Sequence, residues 1–169
     1  LKLLQPGVSW SPDGRKIVIA AKAGSKDAFH IINTRNGDSK KIPFDLEGVF
    51  TPKWSPDGMR LAFVGNKNSA SDIYTIDLNT NEIVNLTSDI FSDSEPSWHP
   101  SSSKLLFVSD RGTKIDRVPT TAVDMIDHNF EQNNIYSIDI NTKVVEKITN
   151  SSSNKNYPIY ANTENVIFY

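Results

Sequence analysis

Hydrophobic positions in this chain fall in short runs separated by polar turns. Near-continuous apolar runs at Ile17 to Ala20, Leu61 to Val64, Leu105 to Val108 and Val166 to Tyr169 have strand length and suit strands covered on both faces. After the first three comes a second run: Phe29-His30-Ile31-Ile32, Ile73-Tyr74-Thr75-Ile76-Asp77-Leu78 and Ile135-Tyr136-Ser137-Ile138-Asp139-Ile140. These end in the polar turns Asn33-Thr34-Arg35-Asn36-Gly37, Asn79-Thr80-Asn81-Glu82 and Asn141-Thr142-Lys143. Third runs follow at Lys40-Lys41-Ile42, Ile83 to Thr87 and Val144 to Thr149. The pattern predicts a meander of antiparallel strands with no helix between them.

A motif punctuates the meander. Trp10-Ser11-Pro12-Asp13-Gly14 returns as Trp54-Ser55-Pro56-Asp57-Gly58 and, degenerate, as Trp98-His99-Pro100-Ser101-Ser102, each Trp standing 44 residues after the last. In Ser-Pro-Asp-Gly, Pro presets φ and Gly accepts a left-handed conformation, so the motif predicts a tight turn; the Trp before it is large enough to fill a gap between stacked sheets. Counting a strand that carries the Trp, each unit holds four strands, the size of one propeller blade. A fourth copy, Pro158-Ile159-Tyr160-Ala161-Asn162, puts Tyr160 in the Trp place 62 residues after Trp98. The 18 extra residues fall between Val108 and Ile135 and predict an insertion at roughly Thr113 to Phe130.

The expected fold is therefore all-β: a β-propeller segment of four-stranded antiparallel blades spanning 1–169, part of a larger propeller. It holds about three and a half blades, at approximately 6–44, 50–88, 94–150 with the insertion 113–130, and a partial blade at 156–169. Leu1-Lys2-Leu3-Leu4 is expected to act as an outermost blade strand able to pair with the fourth unit, and a start at Leu1 without Met reads as a piece of something longer. Open terminal blades predict exposed apolar faces and unpaired edges, and with them homo-oligomers or partner capture.

Trp54 to Gly58, Leu61 to Val64, Ile73-Tyr74-Thr75-Ile76-Asp77 and Leu86-Thr87 resemble the repeat of the TolB-like, or PD40, family of WD40-like propellers. Ser109-Asp110-Arg111-Gly112 and Glu95-Pro96-Ser97-Trp98 are similar to sequences frequent in that family. The departures are Ser101-Ser102 for Asp-Gly, Tyr160 for Trp, and Ala28-Phe29 for the Ile-Tyr pair. The resemblance implies a non-catalytic module that binds proteins in the bacterial envelope, periplasmic or otherwise extracytoplasmic, with an envelope or peptidoglycan-associated partner. The alternative is part of the amino-terminal, substrate-gating propeller of a prolyl-oligopeptidase-like serine peptidase, whose repeats are closely similar.

Composition narrows the function classes. A net charge of −2 with no basic block lacks the Lys/Arg footprint of a nucleic-acid binder. The absence of Cys removes disulfides and Cys-based zinc sites, and no apolar run approaches the roughly 20 residues needed to span a bilayer.

Candidate chemistry is sparse. The three histidines, His30, His99 and His128, stand in no catalytic motif, and there is no Gly-x-Ser-x-Gly elbow, His-Glu-x-x-His or P-loop, so neither an enzyme nor a cofactor is expected. Asp13, Asp57, Asp77 and Asp139 fall where Asp bonds its own backbone in turns. Asp116, Asp124, Asp127, His128 and Glu131 in the insertion have metal-ligand types, but their spacing fits no EF-hand or zinc pattern and no metal is expected. The insertion is instead expected to face a partner, with Val118, Pro119, Val123, Met125, Ile126 and Phe130 as anchors. Tyr74 and Tyr136 occupy equivalent repeat positions and read as packing residues, while Asn85-Leu86-Thr87 and Asn150-Ser151-Ser152 match a glycosylation sequon too short to carry weight.

Overall fold

A computed structural model describes residues 2–23, 26–112, 132–150, 153–161 and 166–167. The first sheet holds β1 (Lys2–Trp10), β2 (Lys16–Ala23), β3 (Lys26–Asn33) and β4 (Ser39–Pro43). The second holds β5 (Gly48–Trp54), β6 (Arg60–Lys67), β7 (Ala70–Asp77) and β8 (Ile83–Asn85), and the third β9 (Asp93–Trp98), β10 (Lys104–Ser109), β11 (Asn134–Asp139) and β12 (Val145–Lys147). A two-stranded ladder of β13 (Ile159–Tyr160) and β14 (Val166–Ile167) follows. Strands pair with their chain neighbours in order, all antiparallel, and there is no helix among the described residues. This is the expected meander of four-stranded propeller blades.

The motif turn joins the first two strands of each sheet. Ser11 N–H donates to Lys16 C=O at 2.8 Å and Gly14 N–H to Ser11 C=O at 2.9 Å, with Gly14 at φ 68°; the second turn repeats this with Ser55, Arg60 and Gly58 at φ 76°. A side chain at that φ costs about 1 kcal/mol or more, which is why the motif ends in Gly. In the third turn Ser102 adopts φ 59° in its place.

One expectation is corrected. Residues 2 to 4 form no separate outer strand: Lys2 and Leu3 pair with Lys22 and Ala21, so they open β1 of the first sheet. The cause is the length of β2, whose eight residues offer partners beyond Val8 across an irregularity in the ladder.

Alternation along the central strands divides their side chains between neighbouring cores. Leu61 and Phe63 of β6 join Val18, Ala20, Phe29 and Ile31 of the first sheet, whereas Ala62 and Val64 join Leu105, Phe107, Tyr136 and Ile138 of the third. Leu106, Val108 and Ile135 face Tyr160 of β13. Phe29, Phe44 and Phe63 meet with centroids 4.8 to 5.2 Å apart, in edge-on or tilted geometry favourable for ring quadrupoles.

The three Trp residues differ according to what precedes them. Trp98 is buried in the second core and donates from Nε1 to Lys53 C=O in the sheet before it at 2.9 Å. Trp54 is half-buried against the first core, and its backbone N–H donates to Ser9 Oγ of the first sheet at 2.9 Å. Trp10, with no earlier sheet among the described residues, is 59% exposed.

Burial predicts opposite outcomes for two chemically identical substitutions. Trp98→Ala should lower unfolding stability by about 3–5 kcal/mol, and Trp10→Ala by no more than about 0.5 kcal/mol. Urea unfolding of both variants checks this.

Candidate functional site

Antiparallel order sends the motif turns and the β3–β4, β7–β8 and β11–β12 turns to one rim of the stack, and the other hairpins and the sheet-to-sheet links to the opposite rim. On that opposite rim the chain leaves β10 through Ser109-Asp110-Arg111-Gly112, just before the insertion. Arg111 is 1% exposed. Its Nη2 donates to both oxygens of Asp93 at 2.8 Å, its Nε donates to Ser109 Oγ at 2.9 Å, and its Nη1 lies 3.1 Å from Asp89 Oδ2. The guanidinium carbon stands 4.9 Å from the Phe107 centroid, 5.5 Å from Tyr136 and 5.6 Å from Phe91. Two carboxylates and three rings thus enclose one planar cation, an arrangement that uses both the fork and the face of arginine.

The node joins separate segments. Asp93 begins β9 and Asp89 lies in the link before it, where its Oδ1 accepts Phe91 N–H at 2.9 Å. Asp110 Oδ1 accepts Ser92 N–H at 2.9 Å. Tyr136 donates its hydroxyl to Gly112 C=O, tying β11 to the segment that follows β10. Burial lifts the Asp93 carboxyl to about 7, although Arg111 pulls it back, and burial likewise raises Asp89. Burial pushes the Tyr136 hydroxyl up to about 12.

Asp72, Asp89 and Asp93 bring carboxylate oxygens within 4.8 Å of one another, all buried. Arg111 pairs with Asp89 and Asp93, while Asp72 accepts Asn85 Nδ2 at 2.8 Å, Thr87 Oγ1 at 3.2 Å and Asp89 N–H at 3.3 Å. One guanidinium thus pairs with two of the three carboxylates, and the third is held by neutral donors. Thr87 also accepts Ile73 N–H at 3.0 Å, and Thr149 repeats the device with Ile135 N–H at 2.9 Å and Asn134 Oδ1 at 3.2 Å. This is the physical role of the closing Leu-Thr.

Most residues singled out in the sequence sit apart from this node. Asp13 accepts Ser11 Oγ–H and Arg15 N–H, Asp57 accepts Ser55 Oγ–H and Met59 N–H, Asp77 accepts the amides of Asn79 and Thr80, and Asp139 those of Asn141 and Thr142. These bonds hold the Asp13, Asp77 and Asp139 carboxyls below the usual range, the first through Ser11 and the others mainly through Thr80 and Thr142. Tyr74 and Tyr136 are packing residues, Tyr74 stacking on Phe63 at 5.5 Å. His30 is half-buried on β3. Asn85 is held by Asp72, so that sequon presents no free amide. Val118, Pro119, Val123, Met125, Ile126 and Phe130, together with Asp116, Asp124, Asp127, His128 and Glu131, lie outside the described residues. Sequence reasoning missed Arg111 and Asp93 as a pair; the signal was an Arg two residues beyond a strand whose central residues, Leu105 to Val108, are all apolar.

Stacked four-stranded meanders with a Trp turn at one rim and strand-capping Thr residues define a β-propeller of the repeat-sheet class. Residues 3–118 match the family described as the TolB beta propeller domain, PD40, and the chain belongs to that family. TolB from Acinetobacter baumannii is similar over 96% of this chain and 37% of its own, at 23% identity and TM-score 0.76. Putative TolB from Agrobacterium tumefaciens is similar over 87% and 50%, at 20% identity and TM-score 0.65. Tricorn protease shares the fold over 90% of this chain and 18% of its own, at 15% identity and TM-score 0.66. The chain thus spans half or less of each of these proteins. None of the curated proteins matches it. Among the described residues no helix is long and apolar enough to cross a membrane.

Removing the guanidinium leaves buried carboxylates without their cation. Arg111→Ala should cost about 3–5 kcal/mol, and millimolar methylguanidinium should restore part of the loss by entering the vacated cage, read as a rise in unfolding midpoint of the variant alone. Between the ordinary carboxyl value of 3.8 and about 7, the folded chain keeps a proton on Asp93 that the unfolded chain has released. Its contribution to stability is therefore full below the lower value and lost as pH rises through the higher one. Asp93→Asn should flatten that part of the stability profile between pH 4 and 8 in thermal melts.

Proposed function

We propose that this chain is a non-catalytic β-propeller module that binds other proteins, in an extracytoplasmic compartment such as the bacterial periplasm, as the TolB relatives suggest. The observation that supports this reading is that Asp13, Asp57, Asp77 and Asp139 are held in turns and Asp89 and Asp93 by Arg111, so these acids serve the blades. Val8 is 52% exposed beside Trp10, and Ile17, Ile19 and Ile32 lie half-buried on the same side, whereas their counterparts Leu61, Phe63 and Ile76 in the second sheet are buried. In the stack such a face is covered by a neighbouring sheet, and a further blade or a second copy of the chain would cover it here. The insertion, through Val118, Pro119, Val123, Met125, Ile126 and Phe130, is the second proposed contact, on the rim where Gly112 leaves the third sheet.

Light scattering with size-exclusion chromatography tests the face directly. Self-association of the chain that Trp10→Lys abolishes is the expected result, and a monomer at all concentrations would remove the homo-oligomeric form of the reading. Capture of an envelope protein that survives deletion of residues 113–130 would remove the role of the insertion.

The likeness to tricorn protease favours one other reading, the substrate-gating propeller of a prolyl-oligopeptidase-like serine peptidase. A Gly-x-Ser-x-Gly elbow with Asp and His partners in the reading frame after Tyr169 would support it, and a reading frame that ends in propeller repeats or in an envelope domain would eliminate it.

A further inference from the structure

The third motif turn keeps the backbone of the other two with different chemistry. His99 N–H donates to Lys104 C=O and Ser102 N–H to His99 C=O, both at 2.9 Å, as in the first two turns. In those turns an Asp carboxylate accepts a serine hydroxyl at 2.6 Å and a backbone amide two residues on. In the third, the carboxylate is gone. His99 Nδ1 takes its place, 3.1 Å from Ser101 N and 2.6 Å from Ser101 Oγ, and Ser101 Oγ lies 2.6 Å from Ser103 Oγ.

A backbone N–H can only donate, so His99 Nδ1 must offer its lone pair and the neutral ring carries its hydrogen on Nε2. That choice directs the relay: Ser101 Oγ–H donates to Nδ1 and Ser103 Oγ–H to Ser101. A proton added at Nδ1 faces the Ser101 N–H donor to donor. The hydroxyls can turn round, but the amide cannot. The turn also sits at a junction: Ser102 Oγ accepts Asp57 N–H of the second sheet at 3.0 Å, and Tyr160 of β13 meets the His99 ring edge-on with centroids 4.6 Å apart.

We propose that the third turn is a proton-operated latch, in which protonation of His99 releases the Ser101 amide and rearranges the His99–Tyr160 contact that joins the third sheet to β13. The titratable neighbours on adjoining elements are Tyr160 of β13, Glu146 of β12 acting on that tyrosine, Lys104 at the start of β10 and Asp57 in the second turn.

Nuclear magnetic resonance from pH 8 to pH 5 tests the latch. Protection of the Ser101 amide, corrected for intrinsic exchange, should fall about tenfold, the scale of one hydrogen bond, in step with the His99 ring nitrogens and the Tyr160 ring resonances. The double variant His99→Ser with Ser101→Asp rebuilds the chemistry of the second turn and should lose the response while keeping the fold. Unchanged Ser101 protection in the native chain, or a response that persists in the double variant, overturns the latch. A Tyr160 resonance that stays fixed while Ser101 titrates overturns its coupling to β13.

Discussion

Two-sided burial of the central strands is the constraint on which the rest of the structure depends. Leu61 and Phe63 point into one core and Ala62 and Val64 into the next, so β6 belongs to two cores at once. A strand of this kind is not stable in a sheet standing alone, because half its apolar side chains would meet water at about 25 cal/mol for each Å² uncovered. Each sheet therefore requires a neighbour on both sides. The aromatic cluster of Phe29, Phe44 and Phe63 and the placement of Trp98 are local answers to that requirement.

Polar groups are handled by the same logic. Stacking closes off water, so backbone groups near the sheet rims need internal partners, and Thr87 and Thr149 supply them to the amides of Ile73 and Ile135 in the Ile-Tyr strands. Asp72, Asp89 and Asp93 are the extreme case, since three buried carboxylates in one place require a cation or a proton. Arg111 supplies the cation to Asp89 and Asp93, while burial holds the Asp93 carboxyl above its ordinary value.

The fold was largely legible in the sequence because its determinants are local and repeated. Gly14 and Gly58 announce the left-handed end of a turn, and the runs at 17–20, 61–64 and 105–108 announce strands buried on both faces. What escaped notice was set by length or by distance. The separate outer strand failed for residues 2–4 because the reach of β2 past Val8 depends on ladder register, which so short a pattern does not encode. The Arg111 node escaped because its partners come from a different strand and a link, 18 residues away in the case of Asp93, and periodicity says nothing about which polar residues meet. The third turn was legible as a backbone but not as a proton relay, since His99 and Ser101 exchange the donor and acceptor roles that Ser and Asp hold elsewhere.

The cross-sheet hydrogen bonds carry a last consequence. Trp54 N to Ser9 Oγ, Trp98 Nε1 to Lys53 C=O and Asp57 N to Ser102 Oγ each connect residues 45 positions apart, one more than the repeat. All three clasp the same rim, where the strand and turn of one sheet meet those of the next, so lengthening a turn there would pull at least one bond out of step. The 18 extra residues fall in the sequence between β10 and β11, whose facing ends, Ser109 and Asn134, lie at the opposite rim. The molecule thus has a conserved-length side and a growing side, and new segments, natural or grafted, are accommodated at the hairpin tips rather than at the Trp turns.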